Sequence, residues 1–208
     1  MERIPDCTGV ILAGGKATRL GGVAKGLVRA GGTTVVARSV ALFGELFAET
    51  LLVANAPEAY PPLGVPVVAD AIPGKGAPGG LHAALAASRT TWAFVVGCDM
   101  PSLSAEAIRF LWERRGEARA VAVEWERGFE GLHAFWSRAC LPVVERLLAG
   151  GDPSLRAIAE AVGARIVPAA TWREVDPDGR SFENANDPSD LARLGLSLPP
   201  TEGRSRRS

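Results

Sequence analysis

The chain has 208 residues, 47% of them hydrophobic, and its 23 basic and 23 acidic residues cancel to a net charge of zero. That size and apolar content exclude wholesale disorder and fit one ordinary domain, while balanced charge gives no basic field to attract nucleic acid. No apolar run approaches the ~18 residues that span a bilayer, which argues against a membrane protein.

Residues 1–6 lack the basic and apolar segments of an export signal, so the expected compartment is the cytoplasm. Three scattered cysteines, Cys7, Cys98 and Cys140, read as reduced buried thiols and not as a disulfide frame or zinc site.

In chain order, Thr8 to Leu12 predicts a buried strand that stops at Gly14-Gly15. Thr34 to Phe47 has helical spacing of Val36, Val40, Phe43 and Phe47. Strands are expected at Leu51 to Ala54, Val65 to Ala69 and Trp92 to Val96, with a short helix from Leu81 to Ala87 between the last two. Ser104 is placed to cap a helix reaching about Arg115. Near-continuous apolar strands alternating with helices predict an α/β fold, a mostly parallel Rossmann-like sheet with helices on both faces.

After Ala118 to Val123 the rhythm loosens. A strand is expected at Leu132 to Trp136, helices at Ala139 to Leu148 and Ser154 to Val162, and a short strand at Arg165 to Val167. Phe182 to Asn186 reads as extended, and Asp187-Pro188 then starts a last helix. One domain is expected over residues 1–198, with a disordered tail at 199–208.

Ligands of open parallel sheets bind beyond the carboxyl ends of the strands, so the loop after the first strand is the place to look. It reads Leu12-Ala13-Gly14-Gly15-Lys16-Ala17-Thr18-Arg19-Leu20-Gly21-Gly22-Val23-Ala24-Lys25. Its glycines let backbone N–H groups approach an anion, and Lys16, Arg19 and Lys25 add three positive charges with no interposed carboxylate. The chain has only three lysines, Lys16, Lys25 and Lys75, all in glycine-rich segments. A compact mobile charge suits phosphate, so the loop reads as a polyphosphate cradle, although it matches neither the Walker nor the dinucleotide pattern.

The stretch LAGGKATRLGG…KG, followed in order by Val67–Asp70, Pro78–Leu81, Cys98–Pro101, Leu132–Ala134 and Phe182–Leu191, resembles the nucleotidyltransferases, and most closely the bacterial molybdenum cofactor guanylyltransferases. The resemblance covers nearly the whole chain. It implies transfer of GMP from GTP to the phosphate of molybdopterin with release of pyrophosphate. It also implies that Leu12, Ala13, Gly14, Gly15 and Asn55 hold the guanine end and that Asp70 contacts the nucleotide. Lys25 then meets the phosphates, and Asp99 carries magnesium as the cofactor. Asn184 and Asn186 fall near the acceptor. The implied partners are GTP and molybdopterin, with proteins that deliver molybdopterin or receive the product. One residue departs from the pattern: the family usually has aspartate before the lysine, as GGxDK, where this chain has Ala24, which puts the aim of Lys25 in doubt.

The residues themselves support such chemistry. Asp99 ends a buried strand, and Ser104 is better placed than Asp99 to cap the next helix. Magnesium takes oxygen ligands, often one carboxylate with phosphate oxygens and water. An acceptor phosphate attacking the α-phosphorus in line needs no general base, which fits a chain with only two histidines. Lys25, with the metal on Asp99, offsets the charge on the α-phosphate while Arg19 and Lys16 steady the pyrophosphate. Lys75 is expected in a mobile loop able to close over substrate. His82 reads as a helix-start residue. His133 fits either a core histidine or an acceptor contact, and Asn184 and Asn186, two apart, are expected to point the same way. The same residues fit a cytidylyltransferase, a nucleotidyltransferase for a sugar or alcohol phosphate, or a non-catalytic nucleotide-binding protein.

Overall fold

The computed structural model describes residues 2–14, 20, 22–72 and 74–200. The strands are β1 (Cys7–Leu12), β2 (Arg29–Ala30), β3 (Thr33–Thr34), β4 (Glu49–Val53), β5 (Val67–Val68), β6 (Trp92–Gly97), β7 (Ala120–Trp125), β8 (Gly128–Ser137) and β9 (Arg165–Pro168). The helices are α1 (Val35–Leu46), α2 (Gly76–Ala87), α3 (Ala105–Glu113), α4 (Leu141–Gly150), α5 (Leu155–Val162), α6 (Ala169–Trp172) and α7 (Pro188–Leu194). Seven strands form one sheet in the order β5-β4-β1-β6-β8-β7-β9. Within it β8 alone runs against the others, since it is antiparallel to both β6 and β7 while the remaining pairs are parallel.

Side chains alternate across the pleat, so each strand feeds two cores. Ile11, Phe94, Val96, Val121 and Phe135 join α1, α3 and α6 on one face. Val10, Leu12, Val95, Ala122 and Trp136 join α2, α4 and α5 on the other. Helices on both faces are the expected architecture. Phe43, Phe47, Phe94 and Phe135 pack with ring centroids 4.6–6.5 Å apart. Such aromatic pairs each add about 0.5–1.5 kcal/mol beyond their buried area.

Several helix starts follow the sequence closely. Thr34 caps α1 by accepting from Ala37 N–H, Ser104 caps α3 from Ala107 N–H, and Asp187 caps α7 from Ser189 and Asp190 N–H. The three cysteines are buried and free.

Other boundaries differ, for physical reasons. Helix α2 starts at Gly76 and not at Leu81, because Pro78 lies in the first turn, where its missing N–H costs nothing. Gly79 and Gly80 are there for close approach, not for a turn. A Cβ on Gly80 would lie 2.8 Å from Leu12 Cδ1, and one on Gly79 would lie 2.7 Å from Asp70 Oδ2. The expected strand from Val65 shrinks to Val67–Val68, paired only with β4 at the sheet edge. Strand β8 begins at Gly128, four residues before Leu132, because Trp125 and Gly128 pair across a tight two-residue connection. The extended run expected from Phe182 is preceded by a 3₁₀ turn over Arg180–Phe182.

Candidate functional site at the carboxyl edge of the sheet

Backbone hydrogen bonds draw together the loops that leave the parallel strands. Ala13 N–H donates to Val53 O at 2.7 Å, Cys98 N–H to Leu12 O at 3.0 Å, and Ala54 N–H to Val68 O at 2.9 Å. Leu12 is therefore a positioning residue: its side chain is buried against Gly80 and its carbonyl accepts from Cys98. Gly14 is exposed, with open space where a Cβ would stand. Gly15, Lys16 and Arg19 of the cradle lie outside the described residues. The loop's far end is pinned by Leu20, buried with Val28, Val35, Ala185 and Leu191.

Asn55 and Asp70 meet beside this loop. The Asn55 Oδ1 accepts from Asp70 N–H at 2.8 Å, and Asp70 Oδ1 accepts from Ile72 N–H at 2.9 Å. Each places a side-chain oxygen beside the loop, where it already accepts from a backbone N–H.

Lys25 is the hub of the site. Its ammonium donates to Asp99 Oδ2 at 2.9 Å and to Asn186 Oδ1 at 2.5 Å, joining residues 161 apart in sequence. The side chains of Lys25 and Asp99 are 25% and 17% exposed, sheltered yet open to a ligand. The C-terminal strap that delivers Asn186 is fixed on the same aspartate, since Ala185 N–H donates to Asp99 O at 2.9 Å. The Asp190 carboxylate of α7 in turn accepts from Asn186 N–H at 2.9 Å.

Ala24 does not leave Lys25 adrift. Gly26 is wedged in place: a Cβ there would lie 3.1 Å from Tyr60 Cε1 and 3.2 Å from Cys98 and Val36. Packing behind Lys25 and two acceptors ahead of it aim the side chain with alanine at position 24.

The single tyrosine, Tyr60, was not expected here. Its hydroxyl donates to Ala13 O at 3.4 Å and approaches Cys98 Sγ at 4.0 Å, and burial raises its pKa. Only its uniqueness in the sequence marks it. Burial, followed by the charge of Asp99, pushes the Cys98 thiol up to about 12, so it stays protonated and is no nucleophile.

The two asparagines part company, contrary to the expectation that they share a side. Asn186 reaches Lys25, whereas the Asn184 amide turns back to donate to Phe182 O at 3.1 Å and lines a neighbouring cleft. That cleft, about 630 Å³, is bordered by Met100, Arg127, Phe129, Glu130, Leu132 and Asn184 among others. Met100 and Asn184 adjoin Asp99 and Ala185 in sequence, so the cleft opens beside the Lys25 cluster. Sequence reasoning missed Arg127, Phe129 and Glu130, because nothing local distinguishes them from a solvated hairpin.

Neither histidine contacts the cluster. His82 lies within α2, with Nε2 3.6 Å from Glu145 Oε1 of α4. His133 is fully buried between Phe94, Trp172 and Phe182, with ring centroids 5.1–5.5 Å away, and burial pushes it down to about 4. It is a core histidine, held at a φ of 81° where the β7–β8 register slips. Lys75 is not a free lid residue: its ammonium donates to Gly151 O at 2.9 Å and Asp152 Oδ1 at 2.6 Å, tying the start of α2 to the α4–α5 connection.

Asp99 offers carboxylate oxygens of the kind a divalent cation takes, one of them accepting from the Lys25 ammonium as Asn186 Oδ1 also does. Among the described residues no group of three or more His, Cys, Asp or Glu is placed to hold a metal alone. A cation here would complete its shell with phosphate oxygens and water, as magnesium does. Among the described residues no helix is long and apolar enough to cross a membrane.

The MobA-like NTP transferase domain matches residues 9–166. The molybdenum cofactor guanylyltransferase of Desulfosudis oleivorans is 32% identical over 192 residues, covering 92% of this chain and 95% of that protein. A probable molybdenum cofactor guanylyltransferase of Pelotomaculum thermopropionicum is 33% identical, covering 90% of this chain and 91% of its own. In fold, the molybdopterin-guanine dinucleotide biosynthesis protein A of Archaeoglobus fulgidus aligns with a TM-score of 0.74 at 23% identity, over 90% of this chain and 96% of that one.

Proposed function

The chain belongs to the MobA-like NTP transferase family, and from that membership we infer that it transfers GMP from GTP to the phosphate of molybdopterin, releasing pyrophosphate. The observation that carries this reading is the convergence of Lys25 on Asp99 and Asn186, where the cradle loop meets the cleft. The nucleotide lies along the ends of β1, β4 and β5, with its base near Gly14 and Asn55 and Asp70 beside it. Gly15, Lys16 and Arg19 receive the phosphates, and molybdopterin occupies the cleft with its phosphate towards Asp99.

Lys25 holds the α-phosphate and stabilises the charge that grows on it, and Asn186 keeps the ammonium pointed there. Magnesium, held by Asp99 with Asn186 nearby, supplies a Lewis acid when bound. The acceptor phosphate is ionised at neutral pH, so no side chain needs to take a proton. The distance of both histidines from the cluster supports that economy. The compartment we assign is the cytoplasm.

The test incubates the chain with molybdopterin, magnesium and each of GTP, CTP, ATP and UTP, and measures pyrophosphate and the dinucleotide product. GTP alone is expected to give both. Product from CTP alone would replace this reading with a cytidylyltransferase.

A further inference from the structure

Glu130 is the only acidic residue among the described residues that line the acceptor cleft. It sits on β8 opposite Val123, three residues before His133. Its side chain is half-buried on the cleft wall, no described residue makes a hydrogen bond or ion pair to it, and of the nearby charges Arg127 favours its ionised form. Burial pushes it up to about 7, with Glu124 adding to the rise. An unpartnered, partly desolvated carboxyl costs stability unless something supplies donors, which makes such a group worth retaining where a ligand supplies them.

The charge pattern says which end of the acceptor Glu130 meets. The acceptor's phosphate belongs at the Lys25 end of the cleft, where the ammonium offsets the charge of Asp99, whereas Glu130 has no such ion pair among the described residues and would repel a phosphate. The other cations of the cleft wall are unequal: Arg156 is spent on Glu124, at 2.7 and 2.8 Å, whereas Arg127 makes no hydrogen bond among the described residues. The far end of molybdopterin is a 2-amino-4-oxopyrimidine ring, whose 2-amino group and adjacent ring N–H are two parallel donors. A carboxylate accepts such a pair with both oxygens, the same matching that pairs carboxylates with guanidinium groups.

We propose that Glu130 reads the aminopyrimidinone edge of the pterin and so sets the acceptor specificity of the cleft, an inference that rests on the guanylyltransferase reading above. Glutamine at this position keeps the shape but offers one acceptor and places a donor against a donor.

The test titrates the full chain with 6-hydroxymethylpterin phosphate and with the matching lumazine, in which oxygen replaces the 2-amino group, following the fluorescence of each probe. The native chain is expected to prefer the pterin by ~10-fold, the usual scale for a site built around a charged hydrogen bond. Glu130→Gln is expected to abolish that preference while GTP binding, read by calorimetry, stays at the native value and shows that the variant is folded. Glu130→Asp, which keeps the charge on a shorter arm, is expected to retain part of it. A preference that survives in Glu130→Gln would overturn the assignment while leaving the enzyme's function intact. A native chain that binds GTP and neither probe would instead overturn the acceptor reading and this inference together.

Discussion

The parallel half of the sheet, β5-β4-β1-β6, ends in loops tied to one another by backbone hydrogen bonds. The half made by β8, β7 and β9 presents its groups from a hairpin, the start of α5 and a C-terminal strap. In the first half, position follows from strand order, so Gly14, Asn55, Asp70 and Asp99 fall in line along one edge. In the second, position depends on side-chain packing: Asn184 and Asn186 are brought to the edge by Phe182 against Trp125, Trp172 and His133, and by α7. On the proposed function, the half ordered by backbone hydrogen bonds takes the nucleotide and the half ordered by side-chain packing takes the acceptor. The seam between them is the contact of Lys25 and Asp99 with Asn186.

Breaking the seam should have the largest effect. Asp99→Ala and Lys25→Ala are each expected to lower kcat by ~10²-fold or more, the scale of losing one preorganised electrostatic group, as measured by product formation under saturating GTP. Native turnover in both variants would remove the seam from the chemistry.

Acid should loosen the packed half next. His133 is neutral and buried in the fold, with its pKa pushed down to about 4 from an ordinary 6.5. The unfolded chain therefore binds the proton first, and stability is lost as pH falls from about 6.5 to about 4, by up to about 3 kcal/mol. Asp176, which accepts from the Trp172 indole and from the Arg180 and Ser181 N–H groups, is the carboxylate that counters part of this penalty. Urea unfolding at pH 7 and pH 4.5 is expected to show a smaller pH-dependent loss in His133→Asn, a residue that tolerates the same positive φ. An unchanged pH dependence would mean that other groups govern acid stability.

A milder perturbation tests the parallel half. Gly79→Ala places a Cβ against the Asp70 carboxylate and within 3.1 Å of Ile72 O, so overpacking of about 1–3 kcal/mol is expected. The variant should melt lower and show a raised KM for GTP, with KM for molybdopterin unmoved. The smallest effect belongs to Lys75→Ala. It removes a pair whose partner Asp152 is 84% exposed, and the expected loss in thermal unfolding is below about 1 kcal/mol.

The same division explains what could be read from sequence. Buried parallel strands are apolar runs, ending in glycine after β1 and in β6, so β1, β4, β6 and the loops after them are legible, as are the caps at Ser104 and Asp187. The start of α2 was hidden because Pro78-Gly79-Gly80 reads as a turn, when its glycines serve close packing in a first helical turn. Helix α6 has four residues, too few for a periodicity. The contact of Lys25 with Asn186 joins opposite ends of the chain, and no local spacing reports it. Glu130 lies in a hairpin whose residues are half-buried on both sides, so alternation gives no signal. What marks it is desolvation without a partner, which exists only in the folded chain.

The division itself is tested most directly by steady-state kinetics with both substrates varied in Asp70→Ala and Glu130→Gln. The account predicts a clean split, with KM for GTP raised in Asp70→Ala alone and KM for molybdopterin raised in Glu130→Gln alone. Either variant moving both constants together would contradict it.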